Sequence, residues 1–476
     1  MRPTFESQVY VERRQRLAKQ MGGGLLLFLG NGIASFNYPD NNYPFRQDST
    51  FLYLFGLDYE GLAAVIDIDA NRSIVFGDEL TIDDIIWTGV QPTLAEKSAA
   101  VGVTDTRPLA QLATYLQQAM SAKQPIHFVP PYRGHTILWL QELLGCPVHA
   151  ENPADAFMQG MPYATPSLEL CYNLADMRNH KAPEEVAEIA RAINITVDMH
   201  ETAMRIVRPG MHEKDIAAAI NEVAQREGYF LSFPTICTVH GETLHNHGYI
   251  HRLEEGQMLL LDAGAETEMH YAGDCTTTMP VGQTVSQRHR EVHEILLDTY
   301  QKATQMIRPG ITYRECHVAA WANIAEGLKG LGLMKGDAME AAEAGAVAMF
   351  MPHGLGHMMG MDVHDMENYG EVHVGYPRGQ QKDPRFGFRS LRLGRTLEPG
   401  FVFTVEPGIY FIPDLIDQWQ AAGKFTEFIN YDALQSWKNF GGMRNEEDFL
   451  ITPDGATRIG RRKPGTIDEI LALRNA

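Results

Sequence analysis

The chain opens with short apolar runs separated by turn residues. The runs GLLLFLG (24–30), FLYLFGL (51–57) and AAVIDID (63–69) read as strands, and NGIASFNYPDNNYPF between the first two reads as a loop. Helical spacing follows over 108–121 (PLAQLATYLQQAMS), then QPIHFV reads as another strand. The first ~175 residues therefore predict an α/β unit. Residues 183–207 carry a long 3.6-residue pattern. Pro183 and two glutamates at its start are a good helix N-terminus. A domain boundary is placed just before it, giving domains at 1–178 and 179–476. The overall class is α/β (α+β).

The second part holds a weak internal repeat. ETAMRIVRPGMHEKDIAAAINEVA resembles QKATQMIRPGITYRECHVAAWANIA, 100 residues further on. Each copy reads helix, Arg-Pro-Gly turn, helix, with Arg208-Pro209-Gly210 matched by Arg308-Pro309-Gly310. Pro-Gly is a common helix stop, so the match can be accidental. The sharper reading is a pseudo-symmetric domain with a site between its halves, where ligand sites often lie.

Isolated acids and histidines interrupt apolar runs in that second part. In MLLLDAGAETEMHYAGDCTTTMPV, Asp262 ends an apolar strand and Asp274 sits on the returning one. A carboxylate after a run as apolar as Met258–Leu261 is costly unless paired or metal-bound. In AVAMFMPHGLGHMMGMDVHD, three histidines (His353, His357 and His364) fall within twelve residues. In FVFTVEPGIYF, Glu406 is a lone acid in a core-like strand that Pro407 ends. GGMRNEEDFLIT places Glu446, Glu447 and Asp448 before an apolar run, which taken alone suits a solvated loop. TVHGETLHNHGYIH holds His240, His245, His247 and His251, which a histidine-rich surface loop would also explain. Four carboxylates and an imidazole suit divalent ions of intermediate hardness. The excess of acids tilts the choice toward Mn²⁺, ahead of Co²⁺ and Zn²⁺. Bridging carboxylates allow two ions, which acidify a shared water and polarise a carbonyl. The nearby histidines could bind an oxyanion or move a proton to a leaving amine.

Composition narrows the partners. The 476 residues are 44% hydrophobic and 21% charged, ordinary for a globular protein of two or three domains. A net charge of −20 argues against nucleic acid. No apolar run approaches a membrane span, and the polar start MRPTFESQVYVERRQRLAKQM lacks a signal-peptide core. Five widely spaced cysteines fit reduced thiols in the cytoplasm better than a disulfide framework.

Together these segments resemble the pita-bread metallopeptidases, a family that includes methionine aminopeptidase, aminopeptidase P and prolidase. The resemblance covers nearly the whole chain. FRQDSTFLYLFGLD (45–58) resembles the N-terminal domain of aminopeptidase P and prolidase, which methionine aminopeptidases usually lack. It implies a creatinase/aminopeptidase P-like first domain and a pseudo-symmetric pita-bread second domain. Creatinase itself lacks the metal ligands. Here the resemblance implies five: Asp262, Asp274, His357 of HGLGH, Glu406 of VEPG and Glu446 after GMRN, with Asp274 and Glu446 bridging. Arg444 matches the arginine of the family's G-x-R-x-E-D pattern and implies support for the ligands. His245 lies 17 residues before Asp262, as the family's substrate-facing histidine does. His353 and His364 resemble histidines that bind substrate and handle the leaving nitrogen.

Three departures stand out. The stretch from Asp262 to Asp274 is one residue longer than the family pattern. Asn246 replaces a tyrosine, and Asn445 and Glu447 flank Glu446, so Glu447 competes with it as a ligand. The implied activity is hydrolysis of an Xaa-Pro bond at a peptide N-terminus by metal-activated hydroxide. FRSLRLGRTLEPGFVFTVEPGIYFIPDLIDQ favours prolidase, because its Arg392 falls where that branch binds a dipeptide's free carboxylate, a good guanidinium task. The N-terminal segment looks equally like aminopeptidase P, which would act on longer peptides. Expected partners are proline-containing dipeptides or short peptides and, from the family, a second copy of the chain. Organophosphate hydrolysis on the same site, a non-catalytic binding module and a metal-storage protein are the alternatives from other classes.

Overall fold

The computed structural model describes residues 3–148 and 164–476. Its contacts divide it into two units, residues 1–177 with 368–370, and residues 178–367 with 371–476. In the first unit, five strands form one mixed sheet in the order Asp105–Arg107, Arg72–Phe76, Ala63–Asp67, Leu25–Leu29, Ile126–His127. The inner pairs run antiparallel and the two edge pairs parallel. Leu25, Leu27, Ala63, Val65, Ile74 and Phe76 share its core with the helix Gln111–Ser121. The 31–45 segment is a loop that includes a short exposed ladder between Ser35–Tyr38 and Asn41–Asn42.

FLYLFGL departs from expectation. It is not a strand; Ser49–Phe55 is a helix. Asp48 caps it by accepting from the Phe51 N–H, and Gly56 closes it at φ 61°. Every residue of that helix is buried. An element buried all round shows no period, so an apolar run of this length cannot be assigned by pattern.

The second unit carries the repeat. Pro183–Ile206 and Glu213–Glu227 pack as one helix pair, Gln287–Met306 and Tyr313–Gly330 as another. Pro183 starts its helix, and the Glu185 carboxylate accepts from the Ala182 N–H at 3.0 Å. The two Arg-Pro-Gly turns are built alike. Gly210 at φ 96° donates its N–H to Leu253, and Gly310 at φ 87° donates to Leu397. Glu213 then donates to His251 and Tyr313 to Arg395. Equivalent bonds at equivalent places make the repeat structural, not a coincidence of Pro-Gly. Each half supplies a three-stranded antiparallel sheet. One is Cys275–Pro280, Met258–Ala263, Ile236–Thr238; the other is Val402–Val405, Glu447–Thr452, Gly455–Arg458. Among the described residues no helix is long and apolar enough to cross a membrane.

Candidate metal centre

Asp262 sits opposite Thr276 in the ladder between Met258–Ala263 and Cys275–Pro280. Asp274 directly precedes the second strand, and both acids are buried. Register matters here, since a one-residue slip would swing Asp262 to the other face. His270 adopts φ 63°, donates its N–H to Thr267 and lies 2.5 Å by Nδ1 from Glu266 Oε1. The strand connections cross at Gly264, where a Cβ would fall 1.8 Å from the Gly273 carbonyl oxygen. No residue but glycine fits there.

The HGLGH segment lies against Val402–Val405. The Thr404 N–H donates to His357 and the Glu406 N–H to Leu355, at 3.0 and 2.8 Å. That pairing brings His357 Nε2 to 3.5 Å from Asp274 Oδ2 and 3.9 Å from Glu406 Oε1. His357 Nδ1 lies 3.1 Å from the Met358 carbonyl. A carbonyl only accepts, so Nδ1 carries the proton and Nε2 keeps its lone pair for a metal.

Glu446 joins from the strand pair's far side. Its N–H donates to the Thr276 carbonyl at 3.1 Å and its Oε2 accepts from Thr276 Oγ1 at 2.6 Å. Glu447 faces away: its carboxylate accepts from the Tyr300 hydroxyl and lies 3.7 Å from Arg458. Adjacent residues of an extended chain point to opposite faces, so only one of the two can reach the site. One oxygen each from Asp274, His357's ring nitrogen and Glu446 fall within 4.8 Å of one another.

Arg444 supports the set from beneath. It donates from Nη2 to Asp262 Oδ2 (2.5 Å), from Nε to Thr276 Oγ1 (3.1 Å) and from Nη1 to the Tyr410 hydroxyl (2.7 Å). That hydroxyl lies 2.8 Å from His353 Nε2, and His353 Nδ1 lies 2.8 Å from the Gly354 carbonyl. Burial drives the His353 pKa down to about 3. The ring is therefore neutral, with both nitrogens engaged. His245 lines the cavity, and partial desolvation of its ring, then Arg444, lowers its pKa. His364 packs edge-on against His357 with ring centroids 4.3 Å apart. Arg392 stands 3.1 Å from Glu371.

The five implied ligands, together with His245, His353, His364, Arg392 and Arg444, line one cavity of about 300 Å³. The sequence reading missed Tyr410, Thr276 and the apolar wall of Phe233, Pro234, Ile236, Leu244 and Val363. Tyr410 carried a signal, a hydroxyl in an otherwise apolar strand. The wall carried none, because apolar residues are unremarkable in a core.

The electrostatics fit a cation. Burial, then Glu446 and Asp262, push the Asp274 carboxyl well above its usual range. Burial, then Glu406, does the same to Glu446. Burial raises Glu406 to about 8 against the pull of Arg444. Asp262 Oδ1 and Asp274 Oδ1 are buried without a hydrogen-bond partner among the described residues. Such groups sit together either by binding protons or with positive charge supplied among them. One outcome follows for the metal-free protein. An acid raised from 4.5 in the unfolded chain to about 8 in the folded one lends stability below pH 4.5 that is lost as pH rises through about 8. Chelated protein should therefore melt higher at pH 6 than at pH 8.5, and Glu406→Gln should flatten that slope. A chelated protein that melts higher at pH 8.5 would contradict it.

Fold and cavity first define a class, a pita-bread hydrolase with carboxylates and an imidazole gathered between pseudo-equivalent halves. Residues 187–453 match the profile of metallopeptidase family M24, and residues 10–127 match the aminopeptidase P N-terminal domain. Xaa-Pro dipeptidase from Rattus norvegicus is 30% identical over 472 residues, covering 96% of this chain and 90% of the relative. A probable Xaa-Pro aminopeptidase from Uncinocarpus reesii is 29% identical, covering 92% and 88%. Among solved structures, a variant of Escherichia coli aminopeptidase P in complex with substrate superposes with a TM-score of 0.79 at 27% identity, covering 99% of both chains. The chain belongs to metallopeptidase family M24.

Proposed function

We propose that the protein hydrolyses the Xaa-Pro bond of dipeptides. The carrying observation is that Arg392 shares one cavity with the carboxylate set. Asp262, Asp274, His357, Glu406 and Glu446 are the residues that would hold two divalent ions, Mn²⁺ ahead of Co²⁺ or Zn²⁺. Bound ions acidify water and polarise the scissile carbonyl. Arg392 binds the free carboxylate of the leaving proline, a task suited to a guanidinium. His364 stands beside His357; its free Nε2 takes the proton released by the attacking water and passes it to the leaving nitrogen. His245 at the rim meets the substrate carbonyl. His353, hydrogen-bonded through both ring nitrogens to Tyr410 and Gly354, lines the cavity beside Glu406, where it meets the substrate. Arg444 fixes Asp262. The bond before proline is a tertiary amide with no N–H. A wall of Phe233, Pro234, Ile236, Leu244 and Val363 asks for none and suits a pyrrolidine ring.

Five unpaired cysteines support a reducing compartment, the cytoplasm. Assembly as a homodimer is the accompanying expectation and is checked by light scattering. The second reading is aminopeptidase P, favoured by the solved relatives. Ala-Pro and Ala-Pro-Ala, compared at matched Mn²⁺, separate the two. A dipeptidase cleaves Ala-Pro with a kcat/KM at least roughly tenfold higher, about 1.4 kcal/mol of preference. Efficient cleavage of Ala-Pro-Ala with little on Ala-Pro would replace the reading with aminopeptidase P.

A further inference from the structure

Beside the carboxylate set, a line of charged side chains runs from His364 to Lys382. His364 Nδ1 lies 2.6 Å from Glu367 Oε2. The other oxygen of Glu367 lies 3.6 Å from Arg392 Nη2. Arg392 Nε lies 3.1 Å from Glu371 Oε1, and Glu371 pairs in turn with Lys382. Glu367 thus places one oxygen on an imidazole and one on a guanidinium, both of which line the cavity.

The backbone is shaped to make this possible. Met366, directly before Glu367, is buried and holds φ 61°. A non-glycine residue in that region stores strain, and such strain gathers at functional sites. The turn lets the Glu367 N–H donate to the His364 carbonyl at 3.3 Å and returns its carboxylate to the same histidine's ring. The carboxyl is held down at about 2, chiefly by the His364 hydrogen bond, so it is ionised across the working range. An ionised carboxylate only accepts. His364 must then carry its proton on Nδ1, and Nε2 is left as the nitrogen with a lone pair.

We propose that Glu367 is a positioning residue that fixes the tautomer and orientation of His364 and tethers Arg392 to it, setting the separation between the two. This rests on the Xaa-Pro dipeptidase reading. In a leaving proline, the nitrogen that takes the proton and the free carboxylate hang on one Cα. A rigid pair of partners at one spacing suits that product. In a longer peptide the terminal carboxylate lies further off, and the same spacing does not match. The proposal makes Glu367 a determinant of preference for a C-terminal proline, acting through two other side chains and not by touching the scissile bond.

Two substitutions separate its contacts. Glu367→Gln keeps an oxygen for the His364 Nδ1–H but loses the charge on Arg392. It should raise the KM for Ala-Pro roughly tenfold and leave kcat within about threefold. Glu367→Met removes both contacts and should also lower kcat by about 10–100-fold. In a His364→Ala background, Glu367→Met should change kcat less than about twofold, because the residue through which it acts is gone. A second readout needs no turnover. Nitrogen-15 spectra of the histidines in metal-free protein, with His364 assigned by difference from His364→Gln, should show the Nδ1–H tautomer in wild type. In Glu367→Met they should show a shift toward Nε2–H.

A folded Glu367→Met with kcat, KM and tautomer like wild type overturns the proposal. So does an equal loss of kcat with and without His364. A wild-type enzyme inert toward every Xaa-Pro peptide removes the substrate reading instead, and the tautomer shift then decides the Glu367–His364 relation by itself.

Discussion

Asp274→Asn should abolish peptide hydrolysis and, at the same time, raise the melting temperature of the chelated protein. Asp274 stands at the centre of the site, 3.5 Å from His357 Nε2 and within reach of Glu446. Its loss removes one of the carboxylates that would hold the proposed ions. The expected fall in kcat/KM is roughly a thousandfold or more, the several kcal/mol that metal chemistry supplies. Metal content by mass spectrometry should fall with it. Stability should move the other way. In the metal-free protein Asp274 is buried among carboxylates that oppose its ionisation. Asparagine is nearly the same size and carries no charge, so the repulsion disappears. A gain of about 1–3 kcal/mol is the scale for relieving a buried, poorly compensated polar group. The opposed signs distinguish a metal ligand from an ordinary structural aspartate, whose loss would lower both. A metal-replete, active Asp274→Asn variant would defeat the proposed ligand set. A chelated variant that melts below wild type would defeat the repulsion argument.

The parts of this site that could be read in the sequence were those where a polar residue sits at odds with its surroundings. Asp262 after Met258–Leu261 and Glu406 after Val402–Val405 are acids at the ends of fully buried strands, and burial makes each conspicuous. The choice between Glu446 and Glu447 was not legible in that way. The first three residues of the strand that follows, Glu447 to Phe449, are all buried, so nothing there alternates to set the phase. Only the family motif favoured Glu446 in the sequence. In the structure Tyr300 and Arg458 engage Glu447 on the opposite side, and Glu446 lies near Asp274 and His357. The same lack of phase misled the reading of FLYLFGL. There the deciding information lay outside the run, in Asp48 as a cap and Gly56 as a stop. Glu367 and Tyr410 escaped notice for a different reason. Their significance lies in what they touch across a turn or a strand pair, and spacing along the chain does not report it.

Arg444 should be the residue whose loss the fold tolerates least. It is buried within the carboxylate set and spends three nitrogens on Asp262, Thr276 and Tyr410. Arg444→Met leaves Asp262 as a buried charge without its cation, a change that costs about 3–5 kcal/mol. It also releases Tyr410 from one of its two partners, which frees His353 in turn. Arg444→Lys keeps a charge but not the fork. An ammonium is a point donor and cannot span Asp262 and Tyr410 as the guanidinium does. Melting temperatures in chelator should therefore fall in the order wild type, lysine, methionine. Added Mn²⁺ should narrow the gap, because ions bound by the carboxylates replace part of the lost positive charge. The lysine variant should bind metal and still lose roughly 10–100-fold in kcat/KM, since Asp262 and Tyr410 are no longer held in place. A methionine variant with the wild-type melting temperature in chelator would show that Asp262 does not depend on Arg444. Equal losses with and without Mn²⁺ would show that the arginine's role is packing rather than charge.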